Sequence, residues 1–409
     1  MPQINKAAIA VSPASASPQS SEWPIARMII TAFFALDGFV FAGWVVRIPA
    51  VKADVHASAG VLGLALLCVS AGAVLTMGPV GRLCIRYGNH RVTVAAAVVL
   101  CGSVALPAQV HSAAGLSAVL LIFGTGFGGL NVALNSAAVD LIAVIRRPVM
   151  ASFHAAYSLG GLLGATLGGL LATQLSAAAH LGLMAGLGLA ATAALAVPLL
   201  RHHVPPAPRP TEDGAGADPT AGTAGAAARG PMLLVLLFGL VALCDAYGEG
   251  ALADWGTLHL TADVHASASV AAAGFAAYSL AMTAGRLSGT RLIERFGPTR
   301  IMVSGSAVAT VGMLVAALSP WLPAVLAGFL LVGLGLANIF PLAINGAGTL
   351  NGPKGVATAS ILGYGGMVLG PPLIGFLAQL IGLPQALLSV ALLAALSGVA
   401  ALAVRRAAA

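Results

Sequence analysis

Long apolar runs separated by short polar stretches follow one another along almost the whole chain. They fall near residues 25–48, 60–80, 92–110, 115–138, 149–172, 180–200, 231–255, 268–290, 300–319, 321–345, 356–379 and 384–404. A helix rises 1.5 Å per residue, so each run is about long enough to cross ~30 Å of hydrocarbon. One stretch breaks the pattern: RHHVPPAPRPTEDGAGADPTAGTAGAAARG, residues 201–230. On either side of it lie blocks of about 176 residues, 25–200 and 231–406, each with room for six spans. The pattern predicts an all-α membrane protein of twelve transmembrane helices in two six-helix halves. Residues 1–24 are expected to form a disordered tail and 201–230 a mobile linker between the halves.

Composition supports this pattern and excludes a soluble protein. The chain is 59% hydrophobic and 8% charged, with mean hydropathy +0.97, too few charges to cover a soluble surface. The abundant glycine and alanine suit helices packed closely through small residues. The net charge of +7 would fit a nucleic-acid partner, but most basic residues lie in short loops between apolar runs, which excludes that reading. Arg82, Arg86, Arg91, Arg146, Arg147, Arg201, Arg209 and Arg229 fall on one side, followed in the same phase by Arg286, Arg291, Arg295, Arg300, Lys354, Arg405 and Arg406. Only Arg47 and Lys52 fall clearly on the other side. The positive-inside bias then places both termini in the cytoplasm and makes the number of spans even. The short piece AAIAV near the amino end is too brief for a signal-peptide core, so the first span is expected to be retained. Cys68, Cys84, Cys101 and Cys244 have neither C-x-x-C nor zinc spacing and read as small buried hydrophobes.

The two halves repeat one another. ADVHASA occurs at 53–59 and again at 262–268, an offset of 209. The same offset relates RLCIRYGNHR (82–91) to RLIERFGPTR (291–300). Six spans return the chain to its starting side, so the copies are parallel repeats, with a cavity expected between them near the midplane. On these motifs the chain resembles the major facilitator superfamily, whose signature between its second and third helices is roughly G-x-x-x-D-R-x-G-x-x-R. Gly81, Arg86, Gly88 and Arg91 match it, with Ile85 at the acidic position; the second copy keeps Glu294, Arg295, Gly297 and Arg300, with Thr290 at the first glycine. The resemblance implies a charged latch at the cytoplasmic helix ends, made and broken as the halves rock. FGTGFGGLNVALN and SFHAAYSLGGLLG, in the fourth and fifth spans, resemble a bacterial inner-membrane branch near the fucose permease group, which implies a proton-coupled sugar symporter.

Polar groups within the spans are the candidates for chemistry, because a carboxylate at that depth is costly unless it is protonated or faces a wet cavity. Asp37 lies midway along the first span and shares a helical face with Phe41 and Trp44. Asp245 and Glu249 lie four apart in the seventh span, and two neighbouring carboxylates resist joint ionisation, which suits proton binding and release. Asp37, Asp245 and Glu249 are therefore the expected proton-coupling residues; interhelical packing is the alternative for Asp37. Phe41, Trp44, Asn131, Asn135, His154, Tyr157, Asn338, Asn345 and Tyr364 are candidates for a solute cavity, although the amides equally suit helix-to-helix bonding. Arg47, at the outer end of the first span, would attract an anionic solute to an outer vestibule, pair with a carboxylate of the seventh span, or snorkel to the interface.

Enzyme signatures are missing. There is no G-x-x-x-x-G-K-[ST] run, and the glycines of FGTGFGG lie inside an apolar helix rather than after a strand. No cluster has metal-site spacing, so no cofactor, metal or catalytic residue is expected. The expected function is secondary transport of a small polar solute, such as a sugar or related metabolite, coupled to protons in a bacterial cytoplasmic membrane. Proton-driven efflux of drugs or secondary metabolites, and a non-transporting sensor or scaffold, are the alternatives. The expected partners are solute, protons and the lipid bilayer, and the architecture is compatible with a monomer.

Overall fold

The polar punctuation between the apolar runs sets the helix boundaries. In a computed structural model, residues 22–145, 149–202 and 229–408 are described; most of the tail and linker, with Arg146 and Arg147, lie outside them. The first half comprises α1 (Glu22–Val45), the short α2 (Ile48–Asp54), α3 (Ala59–Tyr87), α4 (Asn89–Ser103), α5 (Ala113–Ile145), α6 (Met150–Leu171) and α7 (Ala177–Arg201). The second comprises α8 (Arg229–Ala262), α9 (Ala268–Phe296), α10 (Pro298–Leu318), α11 (Leu322–Leu336), α12 (Ile339–Ile381) and α13 (Leu383–Ala408). Among the described residues, 11 helical segments are long and apolar enough to cross a membrane. The remaining span is α6, which at 22 residues is of similar length but carries Ser152, His154 and Tyr157. The fold is the expected all-α bundle of two six-helix halves, with both ends emerging on the same side.

The repeat holds down to single backbone angles. Ser58 caps α3 by accepting from the Val61 N–H, and Ser267, 209 residues later, caps α9 by accepting from the Val270 N–H. His56 and His265 precede them at φ 51° and 55°. Both helices run 29 residues and end at a glycine with positive φ, Gly88 at 87° and Gly297 at 82°. Each glycine also begins the next helix, and only a residue without Cβ adopts that conformation readily. Arg86 lies over the Tyr87 ring at 5.2 Å and Arg295 over the Phe296 ring at 5.3 Å.

The tenth and eleventh spans depart from the simple expectation of two separate helices. The tenth breaks at Ala337–Asn338, between α11 and α12. From Ile339 to Ile381 the backbone stays helical in its hydrogen bonding but reverses direction. Gly355 lies against the Ala347 carbonyl, and the Phe340 ring lies against Gly363. In a straight helix those last two residues would stand about 35 Å apart.

The halves touch mainly toward the end opposite the termini. There Gly375 of α12 approaches the Ala59 carbonyl and the Gly63 Cα of α3 so closely that a Cβ would lie 2.7 and 3.0 Å from them. Thr257 of α8 donates to the Val45 carbonyl at 3.2 Å, and Gly169 of α6 lies against Ala272 of α9. Toward the termini the same helices separate: Gly78 and Gly81 of α3, and Gly365 of α12, meet nothing within 4 Å. Arg82, Arg86, Arg91, Arg295 and Arg300 are exposed there, and among the described residues Glu294 forms no ion pair.

Candidate functional site: a charged cluster between the halves

Midway along the bundle, three helices bring charge together. Arg286 of α9 donates to Glu249 Oε1 of α8 at 3.0 Å, and through its other terminal nitrogen to Ser158 Oγ of α6 at 3.1 Å. Ser158 spends its own proton on the His154 carbonyl, 3.2 Å away, which leaves its lone pairs for the guanidinium. The ion pair belongs to the second half and the serine to the first, so one arginine spans the seam. Arg286 and Glu249 are only partly enclosed, their side chains 17% and 29% exposed, so the pair borders space rather than sitting in a dry core.

Asp245 lies one helical turn from Glu249 and is fully buried, with neither carboxylate oxygen properly hydrogen-bonded. Burial and the neighbouring Glu249 carboxylate work against a negative charge there, and only Arg286 and one helix start oppose them. The break at Ala337–Asn338 starts α12 in mid-span, and the free amides of a helix's first turn carry the positive end of its dipole. The Phe340 amide, in that first turn, faces Asp245 although the contact falls short of a well-formed bond. The carboxylate is also within electrostatic reach of Glu249 and Arg286. Tyr157 and Tyr278, one from each half, feel both Glu249 and Arg286, and His154 feels Arg286.

Asp37 is buried at the edge of this group. Its Oδ1 has no partner, and its charge reaches Tyr157 on α6 and Cys101 on α4. Cys101 contacts the Thr192 hydroxyl at 3.8 Å, so Asp37 faces the interior of the first half as well as the seam. Nearby, Phe34 stacks on Phe153 at 5.4 Å and meets His154 edge-on at 5.6 Å.

The other residues expected near Asp37 or the solute differ in their surroundings. Phe41 stacks on Phe127 of α5 at 4.9 Å, and the fully buried Trp44 packs on Phe123 at 6.3 Å. They share one face with Asp37, and α5 covers part of it, so Trp44 is buried in the core while Phe41 stays partly exposed. Arg47 is no vestibule residue: it is buried and donates to the Leu171 and Ala172 carbonyls at 3.3 Å, satisfying the end of α6. Asn135 donates to the Asn131 carbonyl at 2.8 Å. Asn338 donates to the Gly285 carbonyl at 2.9 Å, tying the broken span to α9. Asn345 and Tyr364 are exposed on α12.

Loop phase groups Arg286 with the loop arginines, but it lies inside the bundle, paired with Glu249 and bonded to Ser158. A signal did exist. Arg291, Arg295 and Arg300 map onto Arg82, Arg86 and Arg91 at the 209-residue offset, whereas Arg286 maps onto Met77. An arginine with no counterpart in the other copy is not explained by topology.

The sequence profile described as the Major Facilitator Superfamily matches residues 28–247 and 238–409. The chain belongs to the major facilitator superfamily. An uncharacterized MFS-type transporter of Yersinia pestis is 34% identical over 365 residues, covering 88% of this chain and 91% of that protein. The membrane protein MosC of Rhizobium meliloti is 29% identical, covering 89% and 87%. Among solved structures, an inward-facing bacterial homologue of the human lysosomal transporter Spinster superposes with TM-score 0.70 at 14% identity, covering 93% of this chain and 96% of that one. The E. coli fucose:proton symporter FucP gives 0.60 at 18% identity, covering 94% and 99%. At such identities the likeness establishes the fold and singles out no branch. Family and fold are those of multi-pass membrane transporters rather than enzymes.

Proposed function

We propose that this member of the superfamily is a secondary transporter that moves a small polar solute, of the class of sugars and related metabolites, together with protons by alternating access. The observation that carries this reading is the Glu249–Arg286 pair, reaching Ser158 across the seam with Asp245 one turn away. A carboxylate that gains a proton releases its arginine, and an arginine that changes partners changes how the halves are tied. Asp37, Asp245 and Glu249 are the proposed proton carriers. His154 and Tyr157 face the solute, with Asn131, Asn135, Asn345 and Tyr364 as further hydrogen-bonding candidates along the opening toward the termini. That opening faces the cytoplasm of a bacterial inner membrane, and Arg86, Gly88, Arg91, Glu294, Arg295, Gly297 and Arg300 form the latch that closes it. Residues 201–230 tether the halves while they rock.

The sugar reading draws support from the fourth and fifth spans and from the structural likeness to the fucose:proton symporter. Its test begins with binding of hexoses, polyols, nucleosides and amphipathic drugs to the full-length protein, followed by transport of each hit in proteoliposomes with a pH indicator inside. Solute-driven proton movement is expected in the wild type. Proton movement that survives Asp37→Asn, Asp245→Asn and Glu249→Gln together sinks the coupling proposal. Binding of amphipathic drugs alone, with export from inverted vesicles, replaces the sugar reading with efflux.

A further inference from the structure

Two shallow clefts lie away from the seam, on the outer side of the second half, where the end of α13 packs beside the start of α10. One cleft of about 450 Å³ is lined by Val399, Leu402, Ala403 and Arg406. Its neighbour, about 320 Å³, is lined by Thr299, Arg300, Val303, Ser304 and Ala307 of α10 with Leu402 and Arg405 of α13. Leu402 belongs to both, so they form one groove with two furrows divided by that side chain. On α10 the lining residues recur every three to four positions, which makes them one helical face.

The groove is built in two chemical layers. Val303, Ala307, Val399, Leu402 and Ala403 form an apolar floor that runs toward the bundle midplane, with Val399 62% exposed. Arg300, Arg405 and Arg406 stand at the mouth, beside the hydroxyls of Thr299 and Ser304, on the side carrying the termini. No carboxylate lines either furrow, and among the described residues none of the three arginines forms an ion pair. Gly297 and Pro298 start α10 at the same place, so its first-turn amides add to the positive field. A cationic, hydroxyl-bearing mouth above two apolar furrows complements a phosphodiester carrying two acyl chains.

We propose that this groove binds an anionic phospholipid, its phosphate among Arg300, Arg405 and Arg406 and its chains along the two furrows. The lipid would bridge α10 and α13 at their polar ends. No residue of the groove belongs to the Arg286 cluster, and of its lining only Arg300 is shared with the proposed latch, so the test reads lipid binding and not transport.

The test is native mass spectrometry of the full-length protein titrated with phosphatidylglycerol or phosphatidylcholine. Wild-type protein is expected to retain phosphatidylglycerol preferentially. Arg300→Gln, Arg405→Gln and Arg406→Gln together should weaken that retention on the order of 100-fold, since each arginine near a lipid headgroup contributes about 1 kcal/mol, and leave phosphatidylcholine unchanged. Arg201→Gln, an exposed arginine on the same side outside the groove, should have no effect. Ala307→Trp fills one furrow with the arginines intact and should weaken both lipids. Equal losses in the triple variant and Arg201→Gln would reduce the effect to general surface charge and overturn the site. Unchanged binding by Ala307→Trp, or complete displacement by millimolar inorganic phosphate, would overturn the acyl-chain part. A several-fold gain in phosphatidylglycerol affinity from Glu212→Gln, Asp213→Asn and Asp218→Asn together would identify the linker as the resident occupant and overturn the lipid.

Discussion

The two halves share a backbone plan and treat charge differently. Capping serines, left-handed histidines, positive-φ glycines and arginine–aromatic pairs recur 209 residues apart. The buried and half-buried charges do not recur. Where the second half has Arg286 the first has Met77, and where the second half pairs Glu249 with that arginine the first holds Asp37 without a full set of partners. Repeated features build and orient each half; unrepeated ones mark where the copies have diverged in chemistry. The first half offers a serine and aromatic rings to the seam, and the second supplies a charge pair that reaches across to them.

Making the second half resemble the first is the strongest way to break this comparison. Arg286→Met strands Glu249 beside buried Asp245, and removing one partner of a buried ion pair costs about 3–5 kcal/mol, less at this partly exposed site. Transport of the identified solute is expected to fall more than ~100-fold, a loss of ~2.7 kcal/mol of transition-state stabilisation. A variant transporting within about threefold of wild type would remove Arg286 from the mechanism. Gly88→Ala and Gly297→Ala test the shared plan instead. Each forces a Cβ into a positive-φ, extended-ψ conformation that glycine alone adopts readily, at about 1–3 kcal/mol, so thermal melts should show similar losses for both; a loss in only one half would mean that the matching angles are not matched in importance.

Ser158→Ala is a finer probe of the seam. Removing a bond to a charged group costs about 1.5–3 kcal/mol when the charge is buried, and toward the low end here. The Glu249–Arg286 pair should survive while the halves part more readily, and cysteines placed at Ser70 and Met367, which are hydrogen-bonded across the opposite end at 3.1 Å, should become more accessible to thiol reagents. Unchanged accessibility would show that Ser158 merely neighbours Arg286. The smallest expected effect is from Ser58→Ala and Ser267→Ala, each losing a helix cap worth about 1 kcal/mol. Equal melting shifts with unaltered transport would confirm that repeated residues serve the fold.

Much of the candidate site was legible because carboxylates are rare in apolar runs. Asp37, Asp245 and Glu249 stood out on depth alone, and four-residue spacing put the last two on one face of their helix. The aromatic partners are less legible, because a helical face shows which residues point together and not which neighbouring helix they meet. Phe41 and Trp44 point toward α5. Arg47 looked available because its partners are backbone carbonyls of α6, 124 and 125 residues away, which no side-chain pattern announces.

By itself, the sequence determined the number of spans, the parallel repeat, the family and the absence of enzyme motifs. Those properties depend on hydropathy over ~20 residues, on loop charge and on local turn chemistry, all carried by residues near one another in the chain. The partners of Arg286, the reversal within α12, the helix start aimed at Asp245 and the end at which the halves meet were decided only by tertiary structure. Each depends on distances between helices far apart in sequence, and in a bundle those distances are set by how small residues let backbones approach. The chain specified which charges it would carry into the membrane, and packing decided which of them would meet.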